Sequence, residues 1–220
     1  MIKQLFIFLS LATGVYGYAQ TSTEKALAGQ ITKLESAEKP EDLQQSRDYF
    51  MKYVNTLSRG TETKKEDWRA YYYAALSMVR SEINSMKAGN MQNIEETSAL
   101  AEKYIGGIFV KNPNNAEANI LLSQIYVLKS LNNTSGSAAN LAKANDYLAK
   151  AKAEDKNNPR IDLIQGEIVL NSPSKNAGDK ELAKTHFNSA LAKFKTYTKK
   201  SNLDPSWGKE DANYYLSTLK

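Results

Sequence analysis

Of the side chains that do covalent or acid–base chemistry most readily, this 220-residue chain has one histidine and no cysteine. His186 directly precedes Phe187 in a lysine-rich stretch and reads as a surface histidine. A serine nucleophile would need that same histidine as its base, and the chain contains neither a Gly-x-Ser-x-Gly turn nor a phosphate-cradling glycine loop. A zinc site would have to be built almost wholly from carboxylates. Asp and Glu are interleaved with Lys along most of the sequence, as in Glu102 and Lys103 or Glu181 and Lys184, which is the pattern of solvated helix faces. Nothing selects one carboxylate pair as a general acid and base. The expectation is therefore a non-enzyme with no cofactor and no metal.

The aromatic residues carry more information. Tyr71, Tyr72 and Tyr73 are consecutive. At about 100° per residue on a helix they sweep roughly 200°, so they cannot all enter one core seam. At least one should face a groove or the edge of a neighbouring helix, where tyrosine offers large contact area at low entropy cost. Trp68 is expected in core or inter-repeat packing. Trp207, after Asp204-Pro205-Ser206, is expected to pin a short last helix onto the rest of the protein.

The N-terminus sets the compartment. Lys3, the apolar run Leu5 to Val15, and Gly17-Tyr18-Ala19 compose a secretory signal, with cleavage expected between Ala19 and Gln20. The run is shorter than the roughly 20 residues that span a bilayer. The ending Tyr18-Ala19-Gln20 resembles signal sequences of Bacteroidetes-type bacteria. Without cysteine there is no lipid-anchored lipoprotein, no disulfide staple and no thiolate site. A periplasmic or secreted protein that does not insert into the membrane after signal cleavage is expected. Formal charge is +5, of which Lys3 is the only charge in residues 1–19, so the mature chain carries +4. The densest basic cluster, Lys193, Lys195, Lys199 and Lys200, lacks the concentrated stripe and stacking aromatics of a nucleic-acid surface, and no nucleic-acid partner is expected.

The elements that must position these residues are helices. One spacing, i, i+4, i+7, recurs as Ala101, Ile105, Ile108, as Ala144, Leu148, Ala151, and as Ala183, Phe187, Ala190. It marks one face of a helix, repeated as helices dock on neighbours in the same way. Breakers divide the mature chain into about nine helices and no strand. The first is expected from Thr23 to Ala37 and the second from Pro40 to Leu57. The third runs from Lys65 to Met86 and the fourth ends at Val110. Asn112-Pro113-Asn114-Asn115 and Asp155-Lys156-Asn157-Asn158-Pro159 each stop one helix and cap the next within a few residues, which forces antiparallel packing. The sixth helix is expected from Ala138 to Glu154, the eighth from Lys180 to Lys199, and the ninth from Lys209.

These two turns, the repeated triplet, and Leu122, Ser123 and Tyr126 on the fifth helix make the stretch from Ala101 to Ala190 similar to the tetratricopeptide repeat family, with Gly166 at the family's small-residue position. Lys156 stands where the family prefers proline and Gln165 where it prefers leucine. The resemblance implies an all-α fold of antiparallel helix pairs stacked as a short solenoid. The repeat is stretched by nine residues in Leu131 to Ala139 and by five in Ser172 to Gly178. Both excesses fall between the helices of a pair and so emerge on one edge of the stack. Domain boundaries are expected as a signal peptide (1–19), an N-terminal helical pair (20–64), the repeats (65–200) and a C-terminal capping helix (201–220).

In this family the first helices of each pair line a concave surface that holds peptides. Carried over, that implies groove positions Glu117, Ile120, Gln124 and Val127 on the fifth helix and Arg160, Leu163, Glu167 and Leu170 on the seventh, beside Tyr71, Tyr72 and Tyr73 on the third. Ile120 and Gln124 do not match the basic and asparagine residues of the members that grip a terminal carboxylate. The expected function is a non-catalytic exported scaffold for a protein or peptide partner in the cell envelope. The alternative from another class is a carbohydrate- or small-ligand-binding accessory protein that uses tyrosine and tryptophan as stacking platforms.

Overall fold

The computed structural model describes residues 22–59, 68–90, 94–132, 135–173, 176 and 178–219. The expected signal peptide and its cleavage site lie outside these residues. So do parts of both lengthened loops, at 133–134, 174–175 and 177.

The described chain forms nine helices: α1 (Ser22–Glu35), α2 (Pro40–Arg59), α3 (Trp68–Lys87), α4 (Ile94–Phe109), α5 (Ala116–Asn132), α6 (Ser137–Glu154), α7 (Pro159–Leu170), α8 (Asp179–Phe194) and α9 (Lys209–Thr218). No strand occurs among the described residues. The two asparagine turns cap as their sequence dictates. Asn115 Oδ1 accepts from the Ala118 amide at 2.9 Å, and Asn158 Oδ1 accepts from the Arg160 amide at 3.1 Å. Pro159 occupies the first helical position, where a missing amide costs nothing.

The strongest pairings are α5 with α6 and α7 with α8, while α3 packs between α2 and α4. All nine residues of the repeated triplets are buried. They form the seams between helices, and their small members let the helices approach closely. Gly166 shows how closely. A Cβ built on it would stand 2.5 Å from Phe187 Cε1 and 2.7 Å from Cζ. The Phe187 ring is fully buried and stacks on Tyr215 at 4.8 Å between centroids, so it has nowhere to retreat. Tyr71 likewise lies against Gly107 of α4, where an added Cβ would come within 2.8 Å of its ring.

Two features depart from the sequence reading. The eighth helix stops at Phe194, five residues before the expected Lys199, as Thr196 and Tyr197 both turn their amides back to Lys193 O. The C-terminal segment is also more than an end cap. After α8 the chain returns along the inner side of the array, past α7, α5 and α3, and reaches Glu35 at the end of α1. The Ser206 amide donates to Glu35 Oε1 at 2.8 Å, and the Ser206 hydroxyl bonds the same carboxylate. The segment then turns at Gly208 into α9, which packs on α8.

Replacing Gly166 and an open helical glycine by alanine separates packing from helix propensity. Gly106→Ala on the exposed side of α4 meets nothing within 4 Å and should stabilise by about 0.5–1 kcal/mol in urea unfolding. Gly166→Ala should destabilise by about 1–3 kcal/mol despite the same propensity gain, because the overpacked Phe187 cannot move.

Candidate functional site

The inner surface is organised around one buried cation. Arg160, at the start of α7, is 1 % exposed. Its Nη2 donates to Glu117 Oε1 at 2.5 Å and its Nε to Glu117 Oε2 at 3.1 Å, a bidentate pair between the first turns of α7 and α5. Burial alone would lower the Arg160 pKa, but the Glu117 carboxylate more than offsets it and raises the value above that of a free guanidinium. Asn158 Nδ2 also donates to Glu117 Oε1 at 2.6 Å, so one carboxylate ties both ends of this turn to α5. The remaining guanidinium donor, Nη1, reaches Trp207 O at 3.3 Å. The Tyr197 and Trp207 rings lie 5.7 and 5.6 Å from the Arg160 guanidinium carbon.

The C-terminal segment is fastened to this cation and to α3. Trp207 Nε1 donates to Tyr72 Oη at 2.8 Å, Tyr73 Oη donates to Leu203 O at 2.8 Å, and Arg69 Nη2 donates to Asp204 Oδ1 at 2.6 Å. Tyr72 and Tyr73 are fully buried. Their phenols are held well above the ordinary value, chiefly because burial disfavours the phenolate.

The implied groove positions can now be placed. Tyr72, Tyr73, Ile120, Gln124, Val127, Arg160, Leu163 and Glu167 are buried, and Tyr71, Glu117 and Leu170 are half-buried. The structure brings Tyr72, Tyr73, Glu117, Arg160 and Leu163 together around residues 203–208. Tyr71 points away to Tyr104 on α4. Ile120, Gln124 and Val127 are enclosed on α5, whose neighbours include α3 and α7. Of the expected groove positions, Tyr72, Tyr73, Arg160 and Leu163 are thus covered by the protein's own C-terminal segment, whereas Ile120, Gln124 and Val127 are buried in helix packing. Sequence reasoning missed this because the filling residues Leu203, Asp204 and Trp207 lie in an irregular stretch with no period to reveal their contacts. Asp204-Pro205-Ser206-Trp207-Gly208 was the available signal, and it predicted only that Trp207 would be buried.

Glu167 has a different setting. It faces α9 and shares a hydrogen bond with Tyr215. Burial first, and then the charge of Asp211, push its carboxyl up to about 8, against the smaller pull of the Tyr215 bond and of Lys87. His186 is half-buried rather than fully at the surface, and burial holds its imidazole below the ordinary value. Among the described residues no group of three His, Asp or Glu side chains could hold a metal ion.

Two cavities are among those that border the chain after α8. One, of about 270 Å³, opens at the starts of α3 and α5. Glu117, Glu154, Asp155 and Asp204 outnumber Arg69 and Lys200 on its wall, and Arg69 is already committed to Asp204. The other, of about 340 Å³, lies between α2, α3 and α9. It is lined by the apolar Ala37, Leu43 and Ile83, the half-exposed ring of Tyr214, the cations Arg80 and Lys87, and the acids Glu38, Glu210 and Asp211. Lys87 Nζ sits 5.0 Å over the Tyr214 ring, and Arg80 makes only a long 3.7 Å contact with Asp211.

No described helix is long and apolar enough to cross a membrane. No protein-family model matches the sequence, and no curated protein matches it. The fold is similar to a solved structure, the HusA haemophore from Porphyromonas gingivalis, with a TM-score of 0.72 and 18 % identity over 93 % of this chain and 94 % of that one. At that identity the likeness concerns the fold.

Removing one side of the buried pair should be costly. Glu117→Gln, which leaves the Arg160 charge uncompensated, is expected to lower unfolding free energy by about 3–5 kcal/mol. Replacing both residues by methionine should recover a large part of that loss, as read by urea denaturation.

Proposed function

We propose that this chain is an exported, non-catalytic binding protein that carries a small amphipathic ligand of the porphyrin class. The observation that supports this over a peptide scaffold is the covered surface: residues 203–208 already occupy the place where the resemblance would lay a peptide, held by the Arg69–Asp204 ion pair and by a buried bond from Arg160 to the Trp207 carbonyl. The fold likeness to a haemophore supplies the ligand class. The cavity between α2, α3 and α9 supplies a place for it. Its volume of about 340 Å³ falls at the small end of ligand pockets, so a porphyrin would be held at one edge and remain partly exposed. Its apolar floor and tyrosine face suit a flat ring, and Lys87 and Arg80 are the cations within reach of ring carboxylates, set among the acids Glu38, Glu210 and Asp211.

The test is a titration of the purified mature protein with ferric protoporphyrin IX and, separately, with metal-free protoporphyrin IX, alongside peptide and glycan arrays. Saturable one-to-one binding is expected, followed by the Soret band for the iron form and by tryptophan quenching for the metal-free form. Tyr214→Ala should weaken it by about tenfold, the equivalent of one lost aromatic contact. Absence of porphyrin binding together with saturable peptide binding would return the protein to the envelope-scaffold reading, and saturable sugar binding would make it a carbohydrate accessory protein.

A further inference from the structure

Where the later helix pairs meet, the repeated triplets close the seams with buried apolar side chains. The first pair meets differently. α2 turns Leu43, Phe50 and Val54 to the core, and on a second face, at helical spacing, it carries Asp42, Gln45, Tyr49 and Tyr53. Asp42, Gln45 and Tyr49 line one side of a cavity of about 490 Å³, and Gln30, Lys33 and Ser36, from α1 and its end, line the other. That volume exceeds those of the cavities beside Arg69 and α9 and lies within the range of small-molecule sites, about 300–1,000 Å³. Ser46, which falls between the two faces of α2, also lines the cavity. It is only 4 % exposed, and among the described residues its hydroxyl has no partner. A hydroxyl so placed is left to a bound molecule or to water. The Gln30 and Gln45 amides are equally uncommitted. The Ser36 hydroxyl donates to Thr32 O at 2.8 Å and keeps its accepting side free.

We propose that the cleft between α1 and α2 is a binding site for a neutral carbohydrate, a short stretch of glycan laid against the Tyr49 ring and held by the Gln30 and Gln45 amides and the Ser46 hydroxyl. Each sugar hydroxyl is both donor and acceptor, and a side-chain amide or a serine hydroxyl offers both functions in return. Tyr49 supplies an apolar face for the ring carbons. Its orientation is set in advance, because it stacks on Tyr53 at 6.2 Å and meets the Phe50 ring edge-on at 5.3 Å. The charges of Lys33 and Asp42 cancel, so the cleft favours neither an anion nor a cation. Apart from Ala37 and Tyr49 its wall is polar, which leaves no apolar pocket for the side chains of a peptide. The cleft shares only Ala37 with the cavity beside α9. It is therefore a separate site, whether or not that cavity holds a porphyrin.

The test is an array of neutral glycans probed with the mature protein, followed by calorimetric titration with maltopentaose, cellopentaose, xylopentaose and penta-N-acetylchitopentaose. Saturable binding of at least one neutral glycan is expected. Gln45 is exposed and uncommitted, so Gln45→Ala should leave far-UV circular dichroism unchanged while weakening binding by about tenfold, the loss of one good hydrogen bond. Tyr49→Phe should retain binding, and Tyr49→Ala should remove it. The chain contains no cysteine, so Gln45→Cys can be labelled selectively with a bulky maleimide, which should abolish binding by filling the cleft. Tyr214→Ala should not affect it. Failure of every neutral glycan to bind saturably would overturn the proposal, as would undiminished binding by the labelled Gln45→Cys protein. Sugar binding without porphyrin binding would leave this site standing and reject only the porphyrin assignment.

Discussion

A single buried charge organises this fold. Arg160 is nearly inaccessible to water, and a guanidinium in that position is tolerable only if its charge is paired and each of its nitrogens finds an acceptor. Glu117 meets two of them from α5, and the carbonyl of Trp207 meets a third. Those partners lie 43 residues before it and 47 after it in the chain. The need to satisfy one side chain therefore fixes the spacing of two repeats and brings the C-terminus across the inner surface. Once Trp207 is drawn in, its indole N–H needs an acceptor, which Tyr72 of α3 provides. Asp204 and Leu203 are then in reach of Arg69 and Tyr73. Three helices of different repeats are joined to one irregular segment by this chain of obligations.

The repeats were legible in the sequence because helical packing leaves a period. Ala101, Ile105 and Ile108 and their two copies mark their seams directly, and the asparagine-rich turns mark where α5 and α7 begin. The ninth helix and the burial of Trp207 were legible too. What the sequence did not reveal was the course of residues 195–208. Their partners, such as Arg69, Arg160 and Glu35, are charged residues that elsewhere in a helix belong on the solvent face. The family resemblance implies an open groove for Arg160 and Glu167. The structure buries both, and each has a partner that only the C-terminal segment or α9 can supply. Tyr71-Tyr72-Tyr73 divides as its angular spread requires: two rings enter the core, and the third lies against Gly107 of the next helix.

The filled inner surface is what redirects the functional reading. A solenoid whose groove is open offers a long track for an extended chain. Here that track is lined by satisfied ion pairs and buried phenols, and displacing the segment would strand Arg160. Of the two cavities described above, the one beside α9 joins an apolar floor and an aromatic ring to mixed charges, and the one beside Arg69 is the more acidic.

The architecture depends on residues 203–208 being an integral part of the inner surface. The most direct measurement is the fluorescence of Trp207 in a Trp68→Phe background, where it is the only indole in the chain. A Trp207 buried against Tyr72 and Arg160 predicts blue-shifted emission that acrylamide scarcely quenches in the native protein and quenches fully after unfolding. Red-shifted emission, quenched in native protein as readily as in denatured protein, would contradict the account and leave the groove open.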